Sequence, residues 1–332
     1  MKQIPWLAFR LAAAAALWPS ALPASDACSN PGVVEIDDVS PFSRVLAMSD
    51  AHGEYEHLTK LLQAAGVIDG HGNWVGGNTL LIVVGDSIDK GPDSTQVLAL
   101  WIKLIPQAAL KQGRLVVLLG NHEAEFLANP GNHKAKEFLK NLQDAKINPE
   151  DVAKGTDPAG FGKLMLGMPL AARVGKFLFA HAGWFPADTA WTNFVSQAQT
   201  HLNARDYAND FITGPHSILE QKNEKEGEED TKWYEEPAAV KTLEDRIAAL
   251  GFWGVVFGHQ PHAFKFKAKL GAVDDLHIIK IDSGMAPDAE DSPGEILRFK
   301  HPGDLLKMAA PDADRLQANG DHKKLDVIKV VN

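Results

Sequence analysis

The most informative segment of the chain reads Leu80-Leu81-Ile82-Val83-Val84-Gly85-Asp86-Ser87-Ile88-Asp89-Lys90-Gly91-Pro92. Its five consecutive apolar residues predict a strand that is buried on both faces. The strand ends at Gly85 and Asp86, so a carboxylate stands at its carboxyl end, where α/β proteins place their ligand sites. Asp and Gly are also ordinary turn residues, and this segment alone leaves a plain turn as the alternative.

Four other segments repeat this pattern of a short apolar strand followed by a polar side chain. Carboxylate, amide and imidazole groups are the ligands that proteins offer to divalent metals. Because the carboxyl ends of parallel strands meet at one edge of a sheet, the repetition predicts a shared metal site. The segments are 44–48 before Asp50 and His52, 115–119 before Asn121 and His122, 177–180 before His181, and 253–257 before His259.

These motifs resemble a known family. In order they are Asp-x-His-Gly (50–53), Gly-Asp-x-x-Asp-x-Gly (85–91), Gly-Asn-His-Glu (120–123), His-Ala-Gly (181–183) and Gly-His (258–259). They resemble the calcineurin-like metallophosphoesterases, specifically the phosphoprotein phosphatase branch. Segments 65–69 and 72–78 are similar to the bacterial Shewanella-like protein phosphatases. The similarity covers roughly residues 44–300 and implies an α/β fold, a four-layer α/β/β/α sandwich of two mixed sheets.

The resemblance implies a centre of two divalent ions with Asp86 as the bridging ligand. A shared carboxylate lowers the repulsion between neighbouring cations. Mixed oxygen and nitrogen ligands favour Mn, Fe or Zn over Ca or Mg, and we expect Mn. Carried over motif by motif, the metal ligands are Asp50, His52, Asp86, Asn121, His181 and His259.

His122 is the candidate general acid, because the matching histidine of the family protonates the leaving oxygen. The aspartate that matches Asp89 holds this histidine in the family. A nearby carboxylate favours the imidazolium form, which keeps the acid protonated near neutral pH. The alternative is that His122 only caps the following helix.

The residues that would hold the substrate phosphate depart from the family pattern. Lys90 stands where many phosphoprotein phosphatases have arginine, and a lysine keeps the charge but loses the bidentate fork. Related bacterial enzymes have a second arginine where this chain has Glu235. We therefore expect Asn121 and Lys90 as phosphate contacts, with Arg246 and Arg205 as further candidates.

His262 follows His259 by three residues, and Pro261 lies between them. Phosphodiesterases of the wider superfamily have two ligand histidines separated by a single residue. The longer spacing favours a role at the rim of the site, or one facing the substrate, over a role as a metal ligand.

The N-terminal 27 residues have the composition of a secretory signal peptide, and we expect a periplasmic or secreted protein. Lys2 and Arg10 precede an apolar stretch at 11–18 that is too short to span a bilayer. Cys28 is the single cysteine, so an intrachain disulfide is excluded. Lipid attachment at Cys28 is the alternative to a free thiol.

We expect residues 28–43 to be an N-terminal tail and residues 44–332 to be one catalytic domain, with a helical insertion at about 123–170. Strands at 276–281 and 295–299 are expected to complete the second sheet. The acidic segment 220–236 has two interpretations, a solvated loop or a mobile lid that screens substrates.

The expected function is that of an exported, dinuclear metal-dependent phosphomonoesterase acting on phosphoserine, phosphothreonine or phosphotyrosine. A formal net charge of −10 and a pI near 5.7 argue against nucleic acid as a partner. The partner is then a phosphorylated protein or small molecule, and the sequence leaves the oligomeric state open. Two alternatives remain: a hydrolase of nucleotides or diadenosine polyphosphates, and a non-catalytic phosphate- or metal-binding protein on a degenerate phosphatase fold.

Overall fold

A computed structural model describes residues 29–185, 189–221 and 233–330. The predicted signal peptide, Cys28 and most of the acidic segment 220–236 lie outside these residues. Within the described ranges, the strands form one six-stranded and one seven-stranded sheet. Both sheets mix parallel and antiparallel pairs.

The six-stranded sheet is built around the apolar segment that follows Asn78. This segment forms β3 (Thr79–Val84), in which all six residues are buried. Parallel neighbours flank β3 on both sides, β2 (Arg44–Met48) and β4 (Arg114–Leu118). Antiparallel strands extend the sheet beyond β2 in the order β10 (Glu295–Phe299), β11 (Ala313–Gln317) and β12 (His322–Lys324).

The seven-stranded sheet carries the other two ligand motifs at its centre. Its three central strands, β6 (Phe177–Ala180), β7 (Gly254–Phe257) and β9 (Ile278–Lys280), run parallel, so their carboxyl ends meet at one edge. The strand order is β1 (Val33–Ile36), β5 (Ala171–Val174), β6 (Phe177–Ala180), β7 (Gly254–Phe257), β9 (Ile278–Lys280), β8 (Gly271–Val273) and β13 (Asp326–Ile328).

Alternation along β3 shows how the sheets and helices are layered. Leu80, Ile82 and Val84 pack with residues of the seven-stranded sheet in one apolar cluster, whereas Leu81 and Val83 belong to the cluster that includes the helices. Each buried strand thus has an inner face toward the other sheet and an outer face toward helices. The predicted α/β sandwich of two mixed sheets is confirmed.

The helices of the described residues are α1 (Tyr55–Ala64), α2 (Ser94–Leu110), α3 (Asn121–Ala128), α4 (Lys136–Asp144), α5 (Pro149–Lys154), α6 (Phe161–Leu166), α7 (Trp191–Ala204), α8 (Asp210–Thr213) and α9 (Pro237–Ala249). Short 3-10 turns cover His133–Ala135, Trp233–Glu235, Ala263–Lys265 and Pro302–Leu306. The segment predicted as a helical insertion contains most of α3 and all of α4, α5 and α6. In the described ranges, no helix has the length and apolar character needed to cross a membrane.

Two expectations about the strands differ from the structure. The segment 28–43 is not simply a tail, because its strand β1 pairs in parallel with β5 and buries Val33 and Ile36. Strand β10 does not join the second sheet, since it pairs antiparallel with β2 in the first. Of the two segments expected to complete the second sheet, only 276–281 does so. Its strand β9 is shorter than the predicted strand.

Candidate metal centre

The predicted ligands lie where strand ends of the two sheets converge. Strands β2 and β3 deliver Asp50 and Asp86, and β6 and β7 deliver His181 and His259. Several of these residues adopt left-handed backbone conformations that side chains other than glycine rarely take. The φ angles are 55° for Asp50, 43° for His52, 51° for Asp86 and 63° for His259. Such strain is characteristic of functional sites.

Asp86 lies at the centre of the cluster. Its Oδ2 atom is 3.4 Å from Nε2 of His52 and 3.2 Å from Nε2 of His181. Two groups of potential ligand atoms share this carboxylate, one formed with His52 and His122 and one with His181 and His259. Within each group the atoms lie within 4.8 Å of one another. One side chain therefore belongs to two adjoining sites.

Backbone carbonyls orient two of the histidines. Nδ1 of His52 is 3.1 Å from the carbonyl oxygen of Ile88, and Nδ1 of His181 is 2.9 Å from that of Val84. A proton on each Nδ1 satisfies these contacts and leaves Nε2 free to bind a metal, as is typical of metal-ligating histidines. Oδ1 of Asn121 is 3.0 Å from Nε2 of His181, so the amide oxygen also faces the cluster.

His259 provides a direct test of whether the residues fit metal ions. Its Nε2 is buried and has no hydrogen-bond partner among the described residues. An unpaired buried nitrogen costs free energy unless a ligand satisfies it. Its ring lies 4.9 Å from that of His181, centroid to centroid, which aims both imidazoles at the same space.

Asp50 joins the two sheets. Its carboxylate oxygens accept from the backbone N–H of His259 at 3.1 and 3.0 Å, and Oδ1 lies 3.8 Å from Nε2 of His52. The approach is possible because residue 258 is a glycine, since an added Cβ there would lie 2.2 Å from Oδ2 of Asp50. Asp50 thus reaches toward His52 from the seam between the sheets.

The charge balance of the centre also favours cations. Asp50, Asp86 and Asp282 are all buried. Burial and the nearby Asp282 raise the pKa of Asp50 well above its usual value, and burial raises that of Asp282. Against the effect of burial, the Asp86 carboxylate raises the pKa of His181 to about 10. Bound cations would offset the cost of ionising these buried carboxyl groups, and the mixed oxygen and nitrogen donors fit divalent transition-metal ions.

His122 and Asp89 form a pair beside this cluster. Nδ1 of His122 is 3.2 Å from Oδ2 of Asp89, and its Nε2 is 4.0 Å from Oδ2 of Asp86. The N–H of Phe138 donates to Oδ1 of Asp89 at 3.2 Å, which fixes the carboxylate. Burial lowers the pKa of His122, but Asp86 and Asp89 outweigh it and raise the pKa. The residue lies in the first turn of α3, and its ring faces the candidate metal centre.

The three basic residues that are candidate phosphate contacts lie in different surroundings. Lys90 lies at the centre, with Nζ 3.2 Å from Nε2 of His52. The guanidinium of Arg246 lies 4.8 Å from the ring centroid of Trp184, in the segment that follows His181, and donates to the carbonyl of Phe185. Arg205 is exposed and donates to the carbonyl of Lys154 at 3.0 Å, which ties it to the end of α5. Lys90 is thus the cation that directly contacts a predicted ligand.

The His262 side chain lies at the rim. It is 46% exposed, and Nε2 is 2.6 Å from Oε1 of Glu290. This contact directs the ring to a surface carboxylate, which agrees with the expected rim position.

Glu123 is a supporting residue to which the sequence argument gave no role, although it belongs to the Gly-Asn-His-Glu motif. Its buried carboxylate accepts from the N–H groups of Ser87 at 2.7 Å, Gly120 at 2.9 Å, Asp86 at 3.1 Å and Ile88 at 3.1 Å. These bonds hold the turn that presents Asp86 to the loop that presents Asn121. Burial raises the pKa of Glu123 to about 7.

Asp282 is the second residue missed. It stands two positions after strand β9, in which Lys280 interrupts the apolar run that marks the other strand-end ligands. Its Oδ1 accepts from the N–H of Gly284 at 2.9 Å, and its charge acts on Asp50.

Comparison with known proteins agrees with this geometry. Residues 43–263 match the family model of the calcineurin-like phosphoesterases. The chain belongs to this family. A calcineurin-like phosphoesterase fold accounts for the two sheets and for the convergence of ligands at their edge.

The phosphoesterase is similar to two curated proteins. It is 31% identical over 100 residues to Shewanella-like protein phosphatase 2 of Arabidopsis thaliana, covering 30% of this chain and 26% of that protein. It is 28% identical over 152 residues to Shewanella-like protein phosphatase 1 of Plasmodium berghei, covering 44% and 41%. The matched part thus spans less than half the length of either relative.

Solved structures share the fold. A cold-active protein-tyrosine phosphatase of a psychrophilic Shewanella species superposes with a TM-score of 0.68 at 18% identity, covering 92% of this chain and 87% of that one. A protein serine/threonine phosphatase from Saccharomyces cerevisiae gives a TM-score of 0.55 at 16% identity, covering 87% and 84%.

The four hydrogen bonds to Glu123 generate a prediction about stability. In Glu123→Gln, the amide NH₂ would face backbone N–H donors and leave at least one of them without an acceptor. We expect the free energy of unfolding to fall by about 3 kcal/mol, measured by urea denaturation. The surface variant Glu56→Gln is the control and should change it by less than about 0.5 kcal/mol. An unaltered unfolding midpoint for Glu123→Gln would show that these bonds do not hold the centre together.

Proposed function

We propose that this phosphoesterase is an exported, dinuclear metal-dependent phosphomonoesterase whose substrates are phosphorylated proteins. The single observation that supports two ions is the position of Asp86, whose Oδ2 lies within 3.4 Å of His52 and 3.2 Å of His181. A carboxylate between two nitrogen-rich groups suits a bridging ligand, because its charge reduces the repulsion between neighbouring cations.

The residues present would divide between the two ions. Asp50, His52 and Asp86 would hold one, and Asp86 with Asn121, His181 and His259 the other. Mn, Fe or Zn suits this mixed donor set, and Mn is our first expectation. When bound, such ions polarise phosphoryl oxygens and make water nucleophilic at neutral pH.

The chain itself supplies the proton and part of the phosphate binding. Nδ1–H of His122 donates to Asp89, which leaves Nε2–H of the imidazolium to protonate the leaving oxygen. Asn121 and Lys90 would contact the phosphoryl group. Lys90 acts as a point charge and does not fix the orientation of the phosphate as an arginine fork would. Arg246 would have to leave the ring of Trp184 to contact a phosphate, and Arg205 would have to leave the carbonyl of Lys154.

Different observations support the two other parts of the proposal, the protein substrates and the export of the protein. The relatives over the matched segments are named protein phosphatases, and the same branch was indicated by the motifs of this chain. Export is supported by the composition of residues 1–27, with Lys2 and Arg10 before an apolar stretch. Phosphoserine, phosphothreonine and phosphotyrosine all remain in the substrate class.

Metal-dependent turnover tests the proposal. Hydrolysis of an aryl phosphate should be lost on chelation and restored by Mn, Fe or Zn, and Asp86→Asn should weaken both metal sites and lower activity. Phosphoserine, phosphothreonine and phosphotyrosine peptides should be assayed beside diadenosine polyphosphates. Faster hydrolysis of the dinucleotides would favour the nucleotide alternative. A folded, metal-loaded protein with no turnover of any ester would favour the binding-protein alternative.

The position of His122 generates a prediction about leaving groups. His122→Asn should retain metal but lower turnover of an alkyl phosphate by ~100- to 10,000-fold, the range for a general acid. For p-nitrophenyl phosphate the loss should be much smaller, because that leaving group needs little protonation. Steady-state kinetics on the two esters measure this difference. Equal losses would refute the role of His122 as the acid.

A further inference from the structure

We propose that a groove beside the metal centre binds the polypeptide flanking the phosphorylated residue of a substrate. This proposal rests on the protein phosphatase function proposed above. The groove, here called the flanking groove, has a volume of about 530 Å³. Apolar residues Tyr234, Phe264, Ile328 and Val330 line it, and His262 and Lys265 stand among its polar lining residues.

The flanking groove adjoins the metal centre. Tyr234 in the groove donates its hydroxyl proton to Oε1 of Gln260 at 3.0 Å, and Gln260 follows the predicted ligand His259. His262 is three residues from His259, so at most about 11 Å of backbone separates the predicted ligand from the rim. An extended peptide covers this distance in about three residues. A phosphoryl group at the metal centre would therefore place neighbouring side chains at the groove.

A buried lysine holds one wall of the groove. Lys280 is 0% exposed, and its ammonium donates to the carbonyl oxygens of Pro261 at 2.6 Å, Phe266 at 2.7 Å and Lys269 at 3.0 Å. All three ammonium protons are thus used, which offsets the cost of burying the charge. The three carbonyls bracket the turn that carries Phe264 and Lys265.

The backbone of this turn is strained. Phe264 and Lys265 both have positive φ angles, 55° and 63°, although neither is glycine. Such conformations cost free energy and persist where the surrounding structure enforces them, often at ligand sites. The three hydrogen bonds from Lys280 hold the turn in this strained conformation. A wall fixed before binding loses less conformational entropy when a peptide docks.

The lining chemistry indicates the class of peptide. Glu235, Lys265 and Lys329 are the charged residues of the lining. Lys329 pairs with Asp275 at 2.8 Å, whereas Lys265 is exposed and no carboxylate of the described residues, Glu235 included, lies within ion-pair distance of it. A cation without a partner beside an apolar floor suits a segment with one apolar and one acidic side chain. The expected substrate is a phosphopeptide with an apolar residue about three positions from the phosphorylated residue and an acidic residue beside it.

Matched peptides and variants test the flanking groove. Two acidic phosphopeptides would carry either leucine or alanine at the third position on both sides of the phosphorylated residue. Non-hydrolysable phosphonate versions would be used for fluorescence-anisotropy binding. For the wild type we expect kcat/KM and affinity to be about tenfold higher for the leucine peptide. Val330→Asp should abolish this preference, and Lys265→Glu should weaken binding of the leucine peptide about fivefold.

The control positions are close to the tested ones in the chain but are not part of the groove lining. Val327→Asp changes an exposed residue of β13, and Lys267→Glu changes an exposed residue beyond the turn, so both should retain the preference. Equal binding of the leucine and alanine phosphonates to the wild type would overturn the proposal even if aryl phosphate is hydrolysed. If no ester is hydrolysed, the proposed function fails. In that case a leucine preference in phosphonate binding that Val330→Asp removes would still support the groove.

Discussion

The Asp86 carboxylate between His52 and His181 is the contact on which the centre depends, because it joins residues of two different sheets. Asp86 ends a strand of the six-stranded sheet, and His181 ends a strand of the seven-stranded sheet. The ring of His181 also bonds the carbonyl of Val84, so it is fixed to β3 from its other nitrogen. Asp50 makes a second connection between the sheets, because its carboxylate accepts from the N–H of His259. The candidate metal centre is therefore also part of the seam that holds the sheets together.

This arrangement links stability to metal binding. Buried carboxylates are costly unless charge or hydrogen bonds compensate them, and this centre contains several within a small volume. Four backbone N–H groups donate to the carboxylate of Glu123 and offset part of the cost of burying it. Asp50 and Asp282 accept from fewer donors, and burial raises the pKa values of all three carboxyl groups. Cations that bind only the folded chain would stabilise it, and the stabilisation grows with the logarithm of their affinity and concentration.

The parts of the fold and site that the sequence predicts are those that depend on local pattern. The apolar segment before Asp86 predicted a buried strand, and the same signal at four other places located the predicted ligands that the structure brings together. Asp282 was missed because Lys280 interrupts the apolar run that precedes it. Strand β1 is only four residues long at a sheet edge, so its pattern is too short to distinguish from a tail. The pairing of β10 with β2 joins residues about 250 positions apart, which periodicity does not encode.

The structural roles of Glu123 and Lys280 could not be predicted from the sequence for a related reason. Both side chains bond backbone groups, and a backbone N–H or carbonyl has no sequence signature. A buried lysine such as Lys280 even contradicts the usual expectation for a charged residue. Residues of this kind become visible only when the loops that they hold are placed in space.

Electron paramagnetic resonance of the manganese-loaded protein tests the shared carboxylate most directly. Two Mn²⁺ ions bridged by Asp86 should give two metals per chain and a spin-coupled spectrum. Asp86→Asn should lose the coupling and leave the signal of isolated ions. An active wild-type protein with one ion per chain, or with two uncoupled ions, would contradict a dinuclear centre built on Asp86.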